Sequence, residues 1–180
     1  MALPATIYRA TIELSDLDRS LFQRLETTLA RHPSETEERL ITRLFAYALC
    51  YHEGLSFTKG ISAGDEPDLW SKEPDGRVQH WIEVGLPDPD RLRKASRHAG
   101  QVTLVASGSG LSRWLDQHLP KLQQIHNLTI LSLDPPFVSQ IAATLQRGIS
   151  WSLTITEGVI YLTMGNETLE SPLKILKGER

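Results

Sequence analysis

Two acidic residues are the best placed in this chain to do chemistry: Asp68, in Glu66-Pro67-Asp68, and Glu83, in Trp81-Ile82-Glu83-Val84-Gly85. A turn around Pro74-Asp75-Gly76 lies between them, so two neighbouring extended segments can bring both carboxylates to one place. Carboxylates held that close repel each other, and such a pair is normally stabilised by a cation or a shared proton. A hard divalent ion bound through oxygen is the expected partner. The bland reading has Asp68 capping the segment at Leu69-Trp70 and Glu83 facing water. The apolar neighbours of Glu83 work against it, because a charge in a buried strand needs a partner.

Positive charge follows directly. Arg91, Arg93, Lys94 and Arg97 fall within seven residues with no acid inside the run. A solvated helix face is the usual explanation, but this helix starts within about five residues of Glu83. Lys94 lies about 8 Å along the axis at 1.5 Å per residue, and helical side chains slant back toward the N-terminus. Its amine can therefore return toward the acids. Arg91 borders the buried face set by Leu92, Ala95 and Ala99 more closely and is the second candidate. Either suits a phosphate beside a metal.

Other groups carry less. Glu66 is a spare ligand and Asp65 a solvated loop charge. Ser34-x-x-Glu37 has the form of a capping box. Glu38 sits at the margin of an apolar stripe, where it either complements the helix dipole or supplies a third oxygen. Gly108-Ser109-Gly110 lacks the lysine of a phosphate loop and reads as a turn with a serine cap. The scattered histidines have no zinc spacing, and Cys50-x-His52 is too little for a nucleophile.

The elements that must position these residues follow from periodicity. Ala5 to Leu14 alternates as a strand. Leu21, Phe22, Leu25 and Leu29 recur at helical spacing behind Asp16 or Asp18, predicting a helix. A second helix runs from Ser34 to Gly54, with its stripe at Leu40, Ile41, Leu44, Phe45 and Ala48. Short strands are expected at Leu55 to Lys59 and Val78 to Val84. Asp88-Pro89 starts a helix running to about Ala99. Val102 to Ala106 and Leu128 to Leu133 read as strands, separated by a helix starting at Ser109 or Ser112. Pro135-Pro136 leads a helix to about Gln146. Trp151 to Thr156 and Val159 to Thr163 form a hairpin around Glu157-Gly158, and a last strand follows Gly165-Asn166. Strands alternating with helices over residues 34 to 133 predict a mixed α/β (α+β) domain: a central sheet flanked by helices, with antiparallel terminal strands at one edge.

At 180 residues, 40% hydrophobic and 23% charged, the chain fits one soluble domain over residues 1 to 180. The single cysteine rules out an internal disulfide. No apolar run is long enough for a membrane span or leader, so a cytoplasmic location is expected. A net charge of −3 gives no global attraction to nucleic acid, and phosphate binding must be local.

These segments resemble a known family. Met1-Ala2-Leu3 through Tyr8-Arg9-Ala10, Arg31-His32-Pro33-Ser34-Glu35-Thr36, Asp65-Glu66-Pro67-Asp68 and Trp81-Ile82-Glu83-Val84-Gly85-Leu86-Pro87 look like the bacterial YaeQ family. That family is similar to the PD-(D/E)XK nuclease superfamily, which includes restriction endonucleases. The resemblance implies a core of a helix, three strands, a helix and a strand. Pro67-Asp68 looks like its PD element, Glu83 like the acid of (D/E)XK, and Glu38 like the acid on the first core helix. It implies Asp68 and Glu83 as ligands of Mg²⁺ or Mn²⁺, nucleic acid as partner, and Arg91 and Arg97 as backbone contacts. Gly85 stands where the motif has lysine, and Lys94 is the expected substitute. The function implied is a metal-dependent nuclease; the alternative is a non-catalytic nucleic-acid- or protein-binding module on a degenerate nuclease fold.

Overall fold

The computed structural model describes residues 4–59 and 64–180. Met1-Ala2-Leu3 lies outside the described residues. The chain builds two sheets. Strands β1 (Thr6–Asp16), β2 (Leu21–Arg31), β8 (Gly148–Thr156), β9 (Val159–Met164) and β10 (Glu167–Pro172) form a five-stranded sheet in the order β10-β9-β8-β1-β2. Strands β3 (Ser56–Phe57), β4 (Leu69–Lys72), β5 (Val78–Val84), β6 (Ala99–Ala106), β7 (Leu128–Ser132) and β11 (Lys174–Lys177) form a six-stranded sheet in the order β11-β7-β6-β5-β4-β3. The helices are α1 (Glu37–Leu49), α2 (Pro89–Ser96), α3 (Leu111–Leu122) and α4 (Pro135–Ala142). The mixed α/β class is therefore as expected. The terminal strands differ: apart from β11 they make their own sheet, because β1 pairs in parallel with β8 as well as antiparallel with β2.

Helix α1 lies in the main core. Every residue from Leu40 to Leu49 is buried, packed with Ile12, Leu25 and Leu29 of one sheet and Ile82, Val84 and Val105 of the other. A helix apolar nearly all round its later turns is what such a sandwiched position requires. Across the six-stranded sheet, Val102, Leu104 and Ala106 of β6 pack with Leu92 and Ala95 of α2 and with Trp114 and Leu122 of α3. The alternation of β6 thus feeds two cores. Among the described residues no helix is long and apolar enough to cross a membrane.

The segment expected as a helix around Leu21 to Leu29 is strand β2. Leu25 and Leu29 are buried, whereas Phe22 is 65% exposed. A four-residue spacing puts two side chains on one face of a strand as well as of a helix. Pairing with β1 from Thr6↔Arg31 to Asp16↔Leu21 decides the outcome, through a turn ending at Ser20 with φ of 52°. Other ends shift by a few residues. Helix α1 begins at Glu37, capped by Thr36 Oγ1 accepting from the Arg39 amide at 3.2 Å. Glu37 closes no capping box; it pairs with Arg31 at 2.9 Å. Helix α2 stops at Ser96 and α4 at Ala142.

Candidate active site

Strands β5, β6 and β7 run parallel, so their C-terminal ends share one edge of the sheet. There the structure opens a cleft of about 590 Å³. Glu38, Asp68, Glu83, Gly85, Arg91 and residues 107–110 are among those lining it. The expected meeting of Asp68 with Glu83 is present, and Glu38 stands on the rim with an exposed side chain.

Asp68 directly precedes β4, and its backbone is fixed on both sides. Its amide donates to the Ile82 carbonyl at 3.0 Å, and its carbonyl accepts from the Thr58 amide at 3.1 Å. The carboxylate accepts from Arg39 Nη2 at 2.6 Å and from the Val84 amide at 2.9 Å. That second bond ties Asp68 to the residue after Glu83.

Glu83 shares a face of β5 with Trp81, two residues away, and Oε1 accepts from Trp81 Nε1 at 2.8 Å. The same oxygen accepts from Arg91 Nε at 2.6 Å. Burial pushes the Glu83 carboxyl above its usual range; Arg91 opposes this and the Asp68 charge adds to it. Arg91 also donates to the carbonyls of Gly64 at 2.6 Å and Glu66 at 2.5 Å. One guanidinium thus joins α2, β5 and the acidic loop.

Lys94 does not line the cleft. Leu92 and Ala95 are buried under α2 and set its rotation, which leaves Lys94 exposed and turns Arg91, one turn earlier, toward Glu83. Arg97, the C-cap of α2, is also exposed and outside the lining. Gly85 lines the cleft with φ of +90°. The chain leaves the strand there, in a conformation that a lysine adopts only with strain. Pro67 and Glu66 line the cleft while Asp65 faces outward.

Sequence reasoning missed the charges behind Asp68. Glu35 is buried and accepts from Arg39 Nη1 at 3.0 Å and from Arg43 Nη1 at 3.1 Å. Among the described residues Arg43 Nε reaches no hydrogen-bond partner; it lies 3.8 Å from Asp68 Oδ1. Burial opposes the Arg39 charge, but Asp68 and Glu35 outweigh it and hold its pKa above the ordinary value. The available signal was the i, i+4, i+8 spacing of Glu35, Arg39 and Arg43, which puts one acid and two bases on consecutive turns.

A divalent ion can be tested against this donor set. Among the described residues no three His, Cys, Asp or Glu side chains converge as a closed metal cage. Magnesium, however, is commonly held by one or two carboxylates with the remaining positions taken by water and substrate phosphate. Asp68 and Glu83 on an open cleft fit that mode, in competition with Arg39 and Arg91 for the same oxygens.

A family model described as YaeQ protein matches residues 1–173. The chain belongs to the YaeQ family. It is 41% identical over 174 residues to "Uncharacterized protein YaeQ" of Salmonella typhi, covering 96% of each chain. It is also 41% identical over 171 residues to the protein of that name from Escherichia coli K12, covering 94% of each. Among solved structures, the YaeQ protein from Pseudomonas syringae superposes with a TM-score of 0.92 at 42% identity, over 99% of both chains. The YaeQ protein from Xanthomonas axonopodis pv. citri gives 0.91 at 33% identity, over 95% of this chain and 97% of that one.

Proposed function

We propose that the cleft binds a phosphodiester of nucleic acid and hydrolyses it with Mg²⁺ or Mn²⁺. The observation that carries this reading is the 2.9 Å bond from the Val84 amide to Asp68, which holds two buried carboxylates from different segments on one open cleft. The element order α1-β3-β4-β5-α2-β6 supports a restriction-endonuclease-like core, since it runs helix, three strands, helix, strand. Asp68 and Glu83 hold the metal, which when bound supplies Lewis-acid polarisation of the phosphoryl group and a more acidic water. Glu38, exposed on the rim, accepts a hydrogen bond from the attacking water and orients it. Arg91 takes the place of the motif lysine, meeting negative charge that develops on the phosphate. Lys94 and Arg97 are left with, at most, screened contacts to more distant backbone.

The test is incubation with single- and double-stranded DNA and RNA in Mg²⁺ or Mn²⁺. Cleavage falling at least about 100-fold in Asp68→Asn and in Glu83→Gln is expected; cleavage at the unsubstituted level in Glu83→Gln rejects the reading.

The second reading is a non-catalytic binding module. Gly85 in place of lysine, together with arginines on both carboxylates, favours it. Titration calorimetry separates the two: the nuclease needs a divalent-ion site lost in Asp68→Ala, and the module does not.

A further inference from the structure

In the cleft wall formed by residues 107–110, Gly108-Ser109-Gly110 was expected to be a turn with a serine cap. The structure differs. Helix α3 has Gly110 at its N-cap, with no side-chain cap among the described residues. The amides of Leu111 and Trp114 are taken up by the carbonyls of Gly108 and Gly110 at 3.1 and 2.9 Å. Those of Ser109 and Gly110 donate to no acceptor among the described residues. Gly108 reaches this shape with φ of +133°, open to glycine and strained for other residues.

Ser107 gives the independent observation. It is only 8% exposed and lines the cleft, yet its hydroxyl has no hydrogen-bond partner among the described residues. The buried hydroxyls of Thr42 and Thr129 do, at 2.8 and 3.1 Å. The oxygen itself is not shut away from the opening, so it is free to donate to a ligand in the cleft. A phosphate is the complementary acceptor: its oxygens accept hydrogen bonds from the hydroxyl and the two free amides, at the positive end of a helix twelve residues long.

We propose that Ser107, the amides of Ser109 and Gly110 and the start of α3 form a phosphate subsite in the cleft, which holds the phosphate neighbouring the one that is cut. The proposal rests on the phosphodiester reading for the source of the phosphate and not for the geometry. Glu38 lines the same space and opposes an anion there.

The test is a titration of the full chain in EDTA, followed by amide resonances, with inorganic phosphate and separately with a 5′-phosphorylated dinucleotide. Phosphate should shift Ser109 and Gly110 first. Ser107→Ala should weaken binding about tenfold, Ser107→Thr should restore it, and Glu38→Gln should strengthen it. The dinucleotide should bind more tightly than phosphate alone. Shifts confined to other residues, or unchanged affinity in Ser107→Ala, overturn the subsite; equal affinity for both probes overturns its assignment to a nucleic-acid strand. Without metal in the tube, these outcomes are independent of the nuclease reading, which fails separately if phosphate binds and no substrate is cut.

Discussion

The two ends of the six-stranded sheet both gather buried polar groups, and they use them differently. At the end away from the cleft, Asp16 is fully buried and paired with Arg19 at 2.7 Å and with Arg180. Arg19 and Arg180 also donate to the carbonyls of Tyr51, Ala48 and Leu49 at 3.2 Å. Nearby, His80 meets Thr103 at 2.8 Å and His52 meets Ser71 at 2.9 Å, beside a pocket of about 170 Å³. There the charges close on one another and join β1, the end of α1 and the last residues. At the cleft end, Asp68 and Glu83 are also buried and paired with arginines, but both line a space more than three times as large. Ionic pairing therefore does not mark a site. What distinguishes the cleft is that its carboxylates line the opening, whereas Asp16 does not line the smaller pocket.

The strongest way to break this contrast is Asp16→Ala, which leaves two arginines without their buried partner. It should cost about 3–5 kcal/mol in urea unfolding, with cleft binding intact in the folded fraction. An unchanged urea midpoint would show that this end is not a structural weld.

A pH series separates the ends by sign. Burial, then the neighbouring His52, lowers the His80 pKa to about 4. The folded state thus disfavours the His80 proton. That contribution is present above about 6.5 and is lost as pH falls toward 4, on the order of 3 kcal/mol at most; His80→Gln should flatten the acid limb. Glu83 is raised by burial, so its contribution is present below the ordinary glutamate range and lost as pH rises through the higher folded value. Glu83→Gln should flatten that limb instead. Urea midpoints across pH check both.

Smaller effects sharpen the cleft itself. Gly85→Lys should lose about 1–2 kcal/mol because of its φ of +90°, and should not raise activity. Lys94→Ala should change urea stability by less than about 0.5 kcal/mol and leave cleavage within about twofold, as expected for an exposed side chain outside the cleft.

The convergence of Asp68 with Glu83 was legible because it depended on local signals: a turn between two strands and a proline-started helix behind. Helix α2 and the hairpin of β8 with β9 were legible for the same reason. Strand β2 was not, since its neighbour β1 decides its form and its apolar spacing fits either period. The choice of Arg91 over Lys94 turned on helix rotation, which two buried residues set only once packed. The spacing of Glu35, Arg39 and Arg43 could be read locally, but their link to Asp68 could not: the Arg39 bond spans 29 residues and exists only once Asp68 lies against α1.

The parallel pairing of β1 with β8 has a consequence during synthesis. Asp16 meets Ile155 across that ladder, so β1 gains its second neighbour only when most of the chain has left the ribosome. Until then the nascent β1–β2 hairpin presents Ile12, Leu14, Leu25 and Leu29 with an open hydrogen-bonding edge, a surface suited to chaperone capture.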